Sequence, residues 1–228
     1  MSRTLGWHEH VAAGNLKDAV ANALAGEADE GTLALLDGLG ELQAALRAKR
    51  YDRASRQAER LEPELGSTLP GLASQTALLE QSGAKLERGE AEATLALLEG
   101  VTLPLLSAEA DTQRGTAQVY LGDARTAEET FRAAAEGDPK HYRALTNLGN
   151  VLLEAGRTDE AIGLYEQALR LNEGFSNAHH NLGVAYRRKG QVSRSVASIR
   201  KAQRASRRQD RDEARGSVKA LTGSLQGR

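Results

Sequence analysis

The chain contains no cysteine, only 4 prolines among 228 residues, and 4% aromatic residues. Without thiols there is no disulfide framework, thiolate metal site or thiol nucleophile, which fits a reducing compartment. Scarce proline with abundant Ala, Leu, Glu, Arg and Gln favours helix. The opening stretch MSRTLGWHEHVAAGNLKDAV has no long apolar run after a basic start. Neither a secretion signal nor a membrane-spanning helix is expected there, and a soluble, cytoplasmic protein is the default expectation. Catalytic motifs are missing too: there is no GxxxxGK[ST] phosphate cradle, GxSxG elbow or HExxH helix. His8 and His10 are two apart, and His179 and His180 are adjacent, so neither pair shares a helix face as an i, i+4 metal site does. His179 takes an inward place on its helix. Glu128-Glu129 and Asp159-Glu160 fall in first turns of helices, where the helix dipole accounts for them. No catalytic residue, metal or cofactor is therefore expected, and the chain does not read as an enzyme.

The formal net charge of -1 conceals an uneven distribution. Residues 187–228 hold 13 Lys or Arg against 3 Asp or Glu, a net of +10 that leaves -11 for residues 1–186. Such asymmetry suits an acidic partner, a nucleic acid or the acidic half of a second copy, and does not choose among them. Near this cluster only Tyr186 is aromatic, so stacking on single-stranded bases has little support.

What the sequence does contain is a repeat. Gly115, Gly149 and Gly183 recur at a spacing of 34, and so do Gly122, Gly156 and Gly190; Ala127, Ala161 and Ser195; Phe131, Tyr165 and Ile199; and Ala134, Ala168 and Ala202. A period of 34 with these residue types predicts stacked helical hairpins. The first glycine and the later alanine are small where two helices cross closely, and Phe131, Tyr165 and Ile199 are expected to fill the gap between one hairpin and the next. The second glycine is expected just past the end of the first helix, at positive φ. In the unit from Tyr142 to Phe175, Leu145, Leu148 and Leu152 make an inward stripe on the first helix. Ala161, Leu164, Tyr165, Ala168 and Leu169 make the inward face of the second, with Thr158 as its expected N-cap.

These series resemble the tetratricopeptide repeat family from about Ala108 to Gln209. The resemblance implies an all-α solenoid, a right-handed superhelix of helical hairpins. Three well-matched units span 108–209, about three divergent hairpins occupy 1–107, and residues 210–228 hold a capping helix and tail. Upstream, GNLKDA at Gly14 to Ala19 and KRYDRA at Lys49 to Ala54 repeat the turn-and-helix spacing of GRTDEA at Gly156 to Ala161, the second of them without glycine. Irregular joints are expected at Pro63 to Gly71 and at Gly100 to Ser107. The capping helix is expected from about Asp210 to Leu221, using Ala214, Val218 and Leu221.

The resemblance also implies a scaffold or adaptor that binds a peptide segment of a protein partner in its concave groove. First-helix residues opposite the buried stripe are expected to line it: Glu109, Gln113, Thr116 and Tyr120 in one unit, Arg143, Asn147, Asn150 and Glu154 in the next, and Asn177, Asn181, Val184 and Arg188 in the third. Gln113, Asn147 and Asn181 would form a column of amides able to pair with extended backbone, as asparagine ladders do in some members, or else support packing between hairpins. The candidate peptide-binding residues are Arg143, Asn147, Asn150, Asn177, His180, Asn181 and Arg187. A carboxylate clamp of the kind known in the family fits poorly. Asn147 suits it, but Asn177 and Asn181 stand where cations are needed and the preceding unit offers Thr112 and Thr116. The alternatives are self-association through the basic C-terminal and acidic N-terminal surfaces, and nucleic-acid binding by the basic helices.

Overall fold

The computed structural model describes residues 6–26 and 28–226, with side chains described through Asp212 and again at Arg215. Every regular element among them is an α-helix. In order these are α1 (Trp7–Ala12), α2 (Leu16–Ala25), α3 (Glu30–Arg47), α4 (Tyr51–Leu65), α5 (Leu72–Glu87), α6 (Ala91–Leu98), α7 (Pro104–Tyr120), α8 (Ala124–Gly137), α9 (Tyr142–Glu154), α10 (Thr158–Leu171), α11 (Ser176–Arg188) and α12 (Val192–Gln226). The chain is an all-α solenoid of helical hairpins, organised as two compact units that divide between Ala144 and Leu145. No described helix is long and apolar enough to cross a membrane.

In the first unit α1/α2, α3/α4, α5/α6 and α7/α8 pack as hairpins, and α7 also touches α1, α3 and α5. That is why α7 is buried nearly all round: Leu105, Leu106, Ala108, Glu109, Ala110, Thr112, Gln113, Gly115 and Ala117 are all enclosed. Its less buried remainder is a polar face of Ser107, Asp111, Arg114 and Gln118, while the polar groups on the enclosed faces find partners. Both irregular joints lie inside this unit. α4 runs through Pro63 to Leu65, because a proline so near the end leaves only the Glu59 carbonyl without its helical donor. The VTLPLL stretch supplies Leu103, Leu105 and Leu106 to the same core as Leu39, Leu42 and Leu72.

Hairpin turns share one device. Gly14, Gly89, Gly122, Gly156 and Gly190 all have φ between +72° and +83°. At Gly156 the N–H donates to the Leu153 carbonyl and the next N–H, of Arg157, to that of Leu152, which closes the helix end in a Schellman turn. In KRYDRA, Lys49 occupies this place at φ 56°, the one described non-glycine residue at positive φ. Its Cβ crowds the backbone there, and the residue is exposed. Lys49→Gly is therefore expected to stabilise the first unit by about 0.5–1 kcal/mol. Urea unfolding followed by the fluorescence of Trp7, which packs on this unit's core, reads the shift. An unchanged or lower midpoint contradicts the strain.

In the second unit Leu145, Leu148 and Leu152 are buried as the stripe requires, together with Ala161, Tyr165 and Ala168, while Leu164 and Leu169 are half-buried. The role of the aromatic series differs from expectation. Phe131, Tyr165 and Ile199 each lie directly over the first glycine of their own hairpin. A methyl built on Gly115, Gly149 or Gly183 would stand 2.7 Å from Phe131, Tyr165 or Ile199 respectively. Sixteen residues separate each pair, the distance from mid-first helix, around the turn, to mid-second helix. α10 begins at Thr158, so its N-cap is Arg157, with no side-chain cap; Asp123 caps α8 by accepting from Thr126 N–H. The helix expected from Asp210 is present as the C-terminal part of α12, which continues from Val192 without a break. The side chains of Ala214, Val218 and Leu221 lie outside the described residues.

Candidate functional site

The second unit holds a recess of about 210 Å³ lined by Thr146, Asn147 and Asn150 of α9 and by Phe175, Asn177, His180 and Asn181 at and within the start of α11. The spacings explain the assembly. Asn147 and Asn150 are three apart on α9, and Asn177, His180 and Asn181 follow the three-and-four rhythm of one face of α11. Asn150 Oδ1 accepts from Tyr165 Oη at 2.8 Å and from Asn181 Nδ2 at 2.6 Å. These bonds set the Asn150 amide so that its Nδ2 hydrogens are not spent in the pair. Burial of the Tyr165 hydroxyl, with Glu154 beside it, pushes its ionisation up, so it stays a neutral donor. Asn177 and His180 are exposed, and Asn147, Asn150 and Asn181 are half-buried. The recess is thus amide-rich, lined by no carboxylate, Lys or Arg, and held from beneath.

Five of the seven candidate residues, Asn147, Asn150, Asn177, His180 and Asn181, come together here. Thr146 and Phe175 join them without having been expected. Phe175 sits at the N-cap of α11, where an apolar side chain beside the inward stripe of α9 was the available signal. Arg187 is exposed but does not line the recess. Arg188, expected in the same row as Asn177 and Asn181, is tied to the Leu153 carbonyl at 2.5 Å and to Glu154 at 2.7 Å.

Arg143 is a correction. It is 8% exposed in the first unit, and its guanidinium grips Glu109 with two bonds, 3.2 Å and 3.3 Å long, while Nη1 also donates to the Leu46 carbonyl at 3.1 Å. Glu109 and Gln113, expected along the groove, are likewise enclosed, at 2% and 1% exposure. Glu109 accepts also from Tyr51 Oη at 2.6 Å, Gln113 Nε2 at 3.2 Å and His141 Nε2 at 3.0 Å. His141 Nδ1 accepts the Ala144 N–H at 3.2 Å, so its Nε2 is the nitrogen that carries hydrogen towards Glu109. The two Nε2 hydrogens of Gln113 are shared among Glu109, Tyr51 Oη and the Leu79 carbonyl, and its Oε1 accepts from Ser82 Oγ. Burial alone pushes the Glu109 carboxyl up, but the Arg143 charge, then His141 and Tyr51, outweigh it and hold it at about 2. This cluster is satisfied and closed to solvent. The physical reason for the misplacement is α7, whose would-be groove face is covered by α1, α3 and α5.

Among the described residues no three His, Asp or Glu side chains converge as a metal site does. The tetratricopeptide repeat family matches residues 112–174 and 152–210. No curated protein matches the chain. Among solved structures, the crystal structure of MamA is similar, at 23% identity over 72% of this chain and 95% of that one, with a TM-score of 0.51. A MamA RS-1 ArsTM double mutant is similar at 18% identity over 77% and 96%, with a TM-score of 0.50. At these identities the likeness is one of fold. Residues 112–210 are therefore a run of tetratricopeptide repeats.

Proposed function

We propose that the protein is an interaction scaffold whose second unit holds an extended segment of a protein partner over the α9/α11 recess. The observation that supports this is the convergence of four side-chain amides and one imidazole on a pre-positioned surface. An amide offers an acceptor and two donors, which matches the alternating C=O and N–H of extended backbone. Fixing Asn150 and Asn181 in advance through Tyr165 lowers the ordering cost of binding. The absence of Lys or Arg from the lining argues for main chain as the ligand over a terminal carboxylate, which would need charge-assisted bonds.

The test is selection of peptides from a displayed random library against the full chain, then titration of the best binder against wild type and an Asn177→Ala/Asn181→Ala double variant. Loss of two or three net hydrogen bonds predicts affinity about 10- to 100-fold weaker in the variant. Blocking the peptide's own amides by N-methylation should weaken binding to wild type alone. Equal affinity for wild type and variant removes the recess as the site.

A further inference from the structure

The basic C-terminal cluster divides into two groups of different standing. Arg188 is tied to Glu154 and the Leu153 carbonyl, Lys189 to Asp159, and Arg194 stands 5.7 Å over the Tyr186 ring. Arg188 and Lys189 are thus occupied by the preceding hairpin, and Arg194 by its own. Beyond them, α12 carries Arg200, Lys201 and Arg204, then Arg207, Arg208, Arg211 and Arg215, every one exposed. At about 100° per residue these seven fall within an arc of about 120° and a length of about 22 Å. Between residues 200 and 215 no other residue type occupies that arc. The buried side chains of α12, Ser195, Ser198 and Ala202, lie on the opposite side.

Local partners for this stripe are few. Arg211 Nε donates to the Arg207 carbonyl, and Asp212, just outside the arc, is 3.9 Å from Arg208 with both side chains well exposed. α11 ends at Arg188, and every described residue from Ser206 to Asp212 is exposed, so this part of α12 has no packed neighbour to account for its charge. Seven like charges on one face repel each other at i, i+3 and i, i+4 spacings. Docking on an external polyanion would relieve that repulsion.

We propose that this face of α12 docks on the phosphates of double-stranded nucleic acid without reading its sequence. Duplex DNA offers one negative charge per about 1.7 Å of axis, so a run of about 22 Å faces more phosphates than there are cations to neutralise them. A helix about 10–12 Å across also fits the major groove, where a charged arc of about 120° reaches both phosphate walls. The arc holds no Asn or Gln to read adenine and no aromatic to stack on single-stranded bases; its arginines reach guanine edges as well as phosphates, and phosphate is the ligand common to every sequence. A membrane surface is disfavoured because the arc has no apolar residue to insert. The site is separate from the amide recess, and either reading can fail alone.

The measurement is fluorescence anisotropy of a labelled random-sequence DNA duplex titrated with the full chain across a salt series. With six to seven phosphates neutralised, affinity should fall about 10³- to 10⁴-fold between about 50 and 200 mM salt. Arg204→Glu/Arg207→Glu/Arg208→Glu should weaken low-salt binding at least about 100-fold and flatten the log–log salt slope by about 3. Far-UV circular dichroism verifies that helix content is kept. Arg53→Glu/Arg56→Glu/Arg125→Glu, the same charge change on exposed arginines of the first unit, should retain most of the binding. Equal loss in both variants overturns the proposal, since net charge alone would then explain it. It is overturned too if the duplex does not bind at low salt, if poly-glutamate displaces it at matched charge, or if anionic vesicles bind through these arginines and the duplex does not.

Discussion

Arg143→Met is expected to destabilise the first unit by about 3–5 kcal/mol, because it leaves the Glu109 carboxylate buried without its main counter-charge. Methionine preserves much of the arginine stem, so lost packing contributes little and the result reports the ion pair. The remaining donors, Tyr51, Gln113 and His141, still reach Glu109, but none replaces the two-pronged guanidinium contact. The Leu46 carbonyl loses a donor as well. Trp7 is the chain's single tryptophan and belongs to this unit, so denaturant unfolding followed by its fluorescence isolates the effect. A double Glu109→Met/Arg143→Met replacement should recover a large part of the loss, since removing both charges also removes the desolvation cost. A loss below about 1 kcal/mol in the single variant would show that the pair is solvated and the cluster open.

The same pair gives an acid signature with a definite sign. The folded-state value of Glu109, about 2, lies below its ordinary 4.5. Its contribution is therefore complete above about pH 4.5 and is lost as the pH falls through 2. In Arg143→Met, burial is no longer outweighed by that cation, and the carboxyl moves upward towards or above its unfolded value. Acidification then costs the variant less than it costs wild type, or stabilises it. Asp29, Asp52, Glu90 and Asp123 are also lowered, by hydrogen bonds at exposed sites, and add the same background acid sensitivity to both proteins. The gap between the two stability curves is thus the informative quantity, and it should narrow steadily from about pH 5 to pH 2.

Arg143 also marks where the sequence stops being legible. Residues that recur every 34 positions carry their environment with them, so Ala161, Tyr165 and Ala168 can be placed inward from the repeat, and Leu145 and Leu148 from the helical stripe of their unit, and all are buried. The amides Asn147, Asn150, Asn177 and Asn181 can be assigned to one face from helical spacing within each unit, and they meet in one recess. Equal register does not guarantee equal neighbours, however. α7 has the repeat's glycine and small residues, yet α1, α3 and α5 close over the face that is open in the second unit. Glu109, Gln113 and Arg143 look like groove residues on periodicity, which sees one helix at a time. The hint to the contrary is that Ser107, Asp111, Arg114 and Gln118 already supply α7 with one polar face, which leaves Glu109 and Gln113 among Leu105, Leu106, Ala110 and Ala117. Contacts between residues 58 or 97 positions apart, such as Tyr51 with Glu109 and Leu46 with Arg143, have no local sequence signal.

Gly149→Ala tests whether the 34-residue signature encodes packing or merely helix propensity. On an exposed helix, alanine in place of glycine stabilises by up to about 1 kcal/mol, and Gly163, where an added methyl would find nothing within 4 Å, should behave so. At Gly149 the added methyl meets three atoms of the Tyr165 ring at 2.7–3.1 Å, and that ring is fully buried and held by its bond to Asn150. Relief requires α9 and α10 to separate or the ring to leave its rotamer, which costs about 1–3 kcal/mol. The two substitutions should therefore shift the thermal unfolding of the second unit in opposite directions, as followed by circular dichroism. Because Tyr165 sets the Asn150 amide, Gly149→Ala should also weaken a peptide selected on the recess, while Gly163→Ala leaves its affinity unchanged. Truncating the ring in a Gly149→Ala/Tyr165→Leu variant should cost less than the sum of the single changes, since the collision disappears with the ring. Strict additivity would mean that glycine and ring do not touch, and the physical basis of the repeat series would then lie elsewhere.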